Sequence, residues 1–454
     1  MGPFLTQATR ALALGLFTLV ALLNAQSSGR AYATGDAWWN AGWGGVLPWD
    51  ENYDNPDGQL SIKNRNGAIR TKDHAFFDPL GANGRACVTC HQPASAMSVA
   101  AATIRQRWLD SNGTDPVFAA FDGSDCPSLP QHAASSHSLT IKHGLFRIPL
   151  PWPPKDVPKP EFKIEVVRDP TGCNLSAVYG LNSPNPSISV YRRPRVVANL
   201  DTLLSGPGGN APVFMADGRE PSLESQARNA TLGHEQAHHP PTPEQLKQIV
   251  EFETQIYASQ NSDIRAGLFK ETGLGVDNLA RGKAPSLSVI AVSFDPWRSS
   301  PAEMAPAQRD FRASVVRGSD LFVGLAFPIK GVAGVPAQSG TCATCHNSGT
   351  TRWMGIGSTN QESAKHLPLF KITCEATGRV EYSQDPGRAL ISGKCEDVGA
   401  IVVQQFRGLA GRAPYFANGT AQDLEGVVEF YEKRFQIGFT GQQKRDLANF
   451  LRVL

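Results

Sequence analysis

The 454-residue chain is short of several things at once. Its formal charge of +2 is nearly balanced, so no excess of either sign marks nucleic acid or an anionic membrane as a partner. Beyond the N-terminus no apolar run approaches the roughly 20 residues of a membrane span. There is no glycine-rich nucleotide loop and no nucleophile elbow, which sets those enzyme classes aside. Only five methionines and ten histidines occur, so the list of candidate soft or imidazole ligands is brief. With 41% hydrophobic and 19% charged residues the chain reads as globular, and its length suggests two domains of about 150–250 residues.

The N-terminus reads as an export signal spanning residues 1–33. Arg10 precedes the apolar run Ala11–Leu23, and Ala31-Tyr32-Ala33 has the small-x-small form of a cleavage site. The expectation is a mature soluble protein beginning near Thr34, in the periplasm, with no stable membrane span.

Four of the eight cysteines fall in two copies of one pattern, ACVTCHQPAS and TCATCHNSGT. CxxCH is the attachment signature of c-type heme: two thiols add to the vinyl groups and the next His reaches the iron. Cys87, Cys90 and His91 thus define a first heme site, and Cys342, Cys345 and His346 a second. A four-cysteine zinc site would have to unite ligands 255 residues apart, and neither zinc nor a redox dithiol explains His after both pairs. Cys126, Cys173, Cys374 and Cys395 remain. In an oxidising compartment they suggest Cys126–Cys173 and Cys374–Cys395 disulfides, with free buried thiols as the alternative.

The copies belong to a longer repeat. DGREPSLESQ (217–226) resembles NGTAQDLEGV (418–427), and Leu246 follows Leu223 at the same 23-residue spacing by which Leu447 follows Leu424. TPEQLKQIVEFETQIY carries a capping box at Thr242 and Gln245 with Pro243 in the first turn, and an apolar stripe of Leu246, Ile249, Val250, Ile256 and Tyr257. TGQQKRDLANFLRVL repeats the box at Thr440 and Gln443, with Leu447, Phe450, Leu451 and Leu454 as its stripe. From heme His to repeated Gly the first half is 54 residues longer (91 to 218 against 346 to 419). The Pro-rich stretch 122–190 accounts for this as a loop- and strand-rich insertion. The expected fold is mainly α, with two tandem heme domains of the class I cytochrome c kind: residues 34–280, a linker 281–305, and residues 306–454.

Two CxxCH halves together with DGREPSLESQ and FRGLAGRAPYFANGTAQDLEGVVEFY resemble the bacterial diheme cytochrome c peroxidase family, which includes MauG-type enzymes that oxidise a protein partner. The resemblance covers most of the mature chain apart from the insertion. It implies a periplasmic oxidoreductase reducing hydrogen peroxide at heme 1 with electrons passed through heme 2, supplied by a small cytochrome c or cupredoxin. A MauG-like oxidase and a non-catalytic diheme electron carrier are the alternatives.

The family's acid–base pair falls on Gln226 and, ten residues on, Gln236 of the LGHEQ segment, so that Glu235, one position short, or His234 is the candidate group and the loop is shifted by one. His234 is also a candidate sixth ligand that would close heme 1, as are His132, His137 and His143. Tyr431 points inward on a helical stripe with Leu424, Val427 and Val428, where the resemblance places a distal ligand of heme 2; Met354 is the rival. Asn199, Arg412 and Pro414 occupy places comparable to the family's calcium site. Two departures stand out: Ala216 replaces a Trp before DGR, and Ala417 replaces a His in the APYFHNG-type segment. Trp297 and Trp353 are the candidates to stand in as electron relay.

Overall fold

The computed structural model describes residues 37–204, 213–282, 293–332, 335–346, 353–354 and 364–454. Trp39–Leu454 form one compact unit. The expected signal segment and its cleavage point lie outside the described residues.

The expectation of a mainly α, cytochrome-like architecture is overturned: the described residues form six sheets beside the helices. The strands Asp50–Asn55 and Gly58–Asn64 make a hairpin, and Gly58–Asn64 pairs with Ile256–Asp263 nearly 200 residues later. The helix Pro243–Gln255 has the capping box read from Thr242 and Gln245, but it stops before Ile256, whose φ of −90° and ψ of 130° begin the strand. Ile256 and Tyr257 therefore belong to the sheet, where a β-branched and an aromatic side chain pack well. Strands this short, paired over such distances, leave no long-period signal in the chain.

A second sheet joins the halves. Phe162–Arg168, inside the insertion, pairs antiparallel with Leu369–Cys374, which is flanked in turn by Val380–Ser383. Leu150, Ile188 and Val190 pack with Phe370 and Leu390 beneath it. Both disulfides are present as Cys126–Cys173 and Cys374–Cys395. Nearby, His143 of the first half stacks on His366 of the second, rings 4.1 Å apart and nearly parallel.

The sequence repeat is a structural repeat. Met215 and Phe416 both take positive φ (64° and 67°), as do Gly218 and Gly419 (64° and 62°), a region glycine enters at little cost. Each turn is closed by a bridge, Phe214 with Glu220 and Tyr415 with Ala421. Each then starts a helix: Leu223–Gly233 capped by Ser222, and Leu424–Phe435 capped by Asp423.

The last helix, Gly441–Arg452, lies against Pro306–Gly324 so closely that a Cβ on Gly318 would sit 2.0 Å from the Asp446 carbonyl oxygen. Phe294, Trp297, Phe322, Leu447 and Phe450 form the core there. Trp297 is buried in that core, its Nε1–H donating to Glu271, so its packing role is plain.

Candidate functional site

The first CxxCH segment folds as a single tight turn. Thr89 Oγ1 accepts from the Ala86 N–H, and the Cys90 and His91 N–H groups donate to the Cys87 carbonyl. Two thiols and one imidazole are thereby gathered on one turn. The second segment repeats the device: Thr344 Oγ1 accepts from the Thr341 N–H, and the His346 N–H donates to the Cys342 carbonyl. All four cysteines are free thiols. Burial pushes the Cys90 and Cys342 thiols up to about 12 and raises Cys87 and Cys345 as well.

The residues fit a heme at both places. His91 Nδ1 lies 3.1 Å from the Met97 carbonyl, which holds its proton on that nitrogen and leaves Nε2 as a ligand. Burial lowers His91 and His346 to about 4, keeping both imidazoles neutral as metal ligation requires. His346 opens on a cavity of ≈ 340 Å³ lined by Cys342, Cys345, Phe322, Phe406 and Tyr431. The phenol oxygen of Tyr431 stands 3.4 Å from His346 Nε2, while the buried Nδ1 of His346 has no partner among the described residues. Burial, with the neighbouring thiols, raises the Tyr431 phenol. Met354 is described through its backbone, paired with Ile401; its side chain, and that of Trp353, lie outside the described residues.

Above the first site the LGHEQ segment is clamped by LGANGR just before the CxxCH. Leu80 N–H donates to Glu235 Oε2 (3.1 Å), and Asn83 Nδ2 donates to the His234 carbonyl (2.8 Å). Gly81 is required, because a Cβ there would lie 1.8 Å from the Glu235 carbonyl oxygen. Glu235 Oε1 is 3.5 Å from Cys87 Sγ, and burial lifts this carboxyl to about 7. A second carboxyl, Glu253, is buried with Oε2 unpartnered and is lifted by burial to about 8. His234 Nδ1 donates to Asp122 Oδ2 (2.6 Å), and the other Asp122 oxygen accepts from Arg85. Burial opposes ionisation of Asp122, but Arg85 and His234 together outweigh it and hold the carboxyl below its usual range.

Of the other histidines, His132 is exposed, and both ring nitrogens of His137 meet carbonyl oxygens, of Gly123 and Gln131. His143 is engaged with His366. Of these candidates His234 is the one that interacts electrostatically with His91. Gln226 is half-buried on the helix Leu223–Gly233 and makes no hydrogen bond to Glu235.

Of the calcium candidates, Asn199 and Arg412 both meet Gln405. Asn199 Nδ2 donates to Gln405 Oε1, and Asn199 Oδ1 accepts from the Ala258 N–H. Arg412 donates to the Gln405 carbonyl, and its own carbonyl accepts from Arg193. Pro414 lines the cavity. Among the described residues no group of three or more His, Cys, Asp or Glu is arranged to hold a metal ion. Ala216 is buried, its carbonyl accepting from the Val402 N–H, and Ala417 lines the cavity and accepts from the Arg193 N–H.

Sequence reasoning missed Gly81, Asn83, Arg85, Asp122 and Glu253. The GANGR run abutting the first CxxCH was the available signal for three of them. Among the described residues no helix is long and apolar enough to cross a membrane.

No family model matches the chain, and none of the curated proteins matches it. Among solved structures the chain is similar to the crystal structure of a MauG-like protein associated with microbial copper homeostasis, at 16% identity and a TM-score of 0.34. The match covers 59% of this chain and 76% of that one. Overlap of that degree does not establish a shared fold.

Proposed function

We propose that the chain is a periplasmic diheme oxidoreductase that reduces hydrogen peroxide at the heme held by Cys87, Cys90 and His91. Electrons enter through the heme held by Cys342, Cys345 and His346, from a small cytochrome c or cupredoxin. The observation that carries this reading is the buried carboxyl of Glu235 beside the Cys87 sulfur. When bound, heme supplies the one-electron iron chemistry that peroxide cleavage needs.

The net reaction consumes two electrons and two protons per peroxide and releases two waters. The chain's share is the proton. Glu235 is held at Oε2 by the Leu80 N–H, leaving Oε1 as the atom that takes and returns a proton. Attachment of Cys87 as a thioether removes its S–H, so Oε1 then loses that neighbouring donor. A carboxyl lifted to about 7 is suited to general acid–base work at neutral pH. Asp122 and Arg85 orient His234, and the clamp 80–85 keeps the loop seated.

A second reading, oxidation of a protein surface in the MauG manner, is favoured by Tyr431 facing His346, because a phenolate ligand stabilises high oxidation states. The test is peroxide consumption by half-reduced, heme-loaded protein with a reduced small cytochrome as donor. Two donor electrons per peroxide, lost in E235Q, is the expected result. No turnover with both hemes low-spin makes the protein an electron carrier with His234 on the first iron. A persistent oxidised state without turnover points to a protein substrate.

A further inference from the structure

The cavity beside His346 is lined by two chemically different groups of side chains. One is Cys342, Cys345, His346 and Tyr431 among phenylalanines. The other is Arg193, Arg195 and Arg412, with Gln384 and Asn418. Arg195 also neighbours the first site, its backbone bonding to the His91 ring.

Among the described residues these three guanidinium groups hydrogen-bond to backbone carbonyls and to no carboxylate. Arg193 donates to the carbonyls of Val99 (2.5 Å), His143 (2.9 Å) and Arg412 (2.9 Å). Arg195 donates to those of Val402 (2.9 Å) and Val403 (3.2 Å). Arg412 donates to that of Gln405, and its buried Nε has no partner among the described residues. The neighbouring carboxylates are already used: Asp385 by Arg192, and Asp217 by Arg192 and Arg219. Burial, and then the charge of Arg412, pushes Arg193 down to about 9 and Arg195 to about 10; burial takes Arg412 to about 10. Asp217 bears on Arg195 without bonding to it, and three clustered cations taken out of water with so little compensating charge are costly unless an anion joins them.

We propose that Arg193, Arg195 and Arg412 form an anion-binding site whose ligands are the two propionate carboxylates of the heme tethered at Cys342 and Cys345. This rests on the diheme reading above. A c-type heme is bonded through its vinyl edge and carries two carboxylates on another edge, so it presents a thiol-seeking side and an anionic side. The same cavity offers both partners, cysteines and guanidinium groups whose bonds among the described residues go to backbone carbonyls. Arginine is the residue suited to carboxylates because its planar fork donates two parallel hydrogen bonds. Once filled, the site neutralises charge in a buried place and favours the reduced heme.

The experiment compares the heme-loaded wild type with R195Q, R412Q and R195K, and with R298Q as a surface control. Heme content is read first, then the midpoint potential of the C-terminal heme. Two attached hemes per chain are expected throughout, with the potential in R195Q and R412Q lowered by a roughly tenfold change in the reduction equilibrium, about 59 mV for one electron. R195K recovers most of it and R298Q leaves it unchanged. Unaltered potentials in R195Q and R412Q with both hemes attached overturn the proposal. So does a wild-type potential that responds to added inorganic phosphate and loses that response in R195Q, because the site then takes a free anion. A wild type without heme overturns the diheme reading itself, which is a separate outcome. If the glutamine variants fail to accumulate, the wild-type propionate bending bands in resonance Raman decide: a shift in D2O supports guanidinium donors, and unmoved bands contradict them.

Discussion

Tyr431 and His346 face each other across the second site, phenol oxygen to Nε2 at 3.4 Å, their rings crossing at 83°. The two come from a helix and a CxxCH turn 85 residues apart, so the meeting is a product of packing. On the proposed diheme reading His346 would hold the iron through Nε2, and Tyr431 would be the phenol close enough to join it. Replacing it, Y431F, leaves both hemes attached and changes the optical and EPR signature of the C-terminal heme alone. Its midpoint potential rises, because a phenolate favours ferric iron, by an equilibrium factor of at least about ten, or 1.4 kcal/mol. Spectra indistinguishable from wild type would remove Tyr431 from the coordination sphere.

Glu235 sets a pH dependence. Burial raises its carboxyl to about 7, so the carboxylate that accepts a peroxide proton is scarce at pH 6 and dominant at pH 8. Peroxide kcat/KM therefore climbs with pH through about 7. E235Q is flat over the same range and about 10²–10⁴-fold slower, the usual span for a lost acid–base group. Steady-state kinetics across pH 5.5–8.5 read this directly.

Gly81 seats Glu235. In G81A the new Cβ meets the Glu235 carbonyl at 1.8 Å, a backbone clash that no side-chain rotation relieves. Overpacking of this sort costs about 1–3 kcal/mol, seen as a fall of several degrees in Tm. Peroxide turnover falls as well, because the displaced atom belongs to the acid–base residue. Gly275 has open space where a Cβ would go, so G275A changes neither reading.

The disulfides brace the sheet that crosses the halves. Cys374 ends the strand whose first-half partner there is Phe162, and Cys126–Cys173 encloses that partner strand. Opening the 47-residue loop with C126S/C173S costs about 4 kcal/mol by chain entropy, and opening the 21-residue loop with C374S/C395S about 3 kcal/mol. Urea unfolding monitored by fluorescence gives both, with the first pair expected to be the more damaging.

What the sequence made legible was local. The CxxCH turns, the capping boxes at Thr242 and Thr440, the repeated turn around Gly218 and Gly419, and the inward face of Tyr431 all follow from residues within a turn or two of one another. The architecture did not follow, since Phe162–Arg168 finds its partner 200 residues on and Gly58–Asn64 pairs with a strand that the helical stripe through Tyr257 had concealed. The same holds for the site. Glu235 lay in a segment chosen for its chemistry, whereas the clamp by Leu80, Gly81 and Asn83 depends on a contact 150 residues long. Clustering of Arg193, Arg195 and Arg412 is likewise tertiary, and no spacing rule announces it.

The central claim is that both CxxCH turns carry heme. Mass spectrometry of the chain, produced with a c-type heme maturation system and digested under denaturing conditions, tests it most directly. Two heme adducts per chain are expected, one on the peptide containing Cys87 and Cys90 and one on that containing Cys342 and Cys345. Unmodified thiols at either pair in fully matured protein would contradict it.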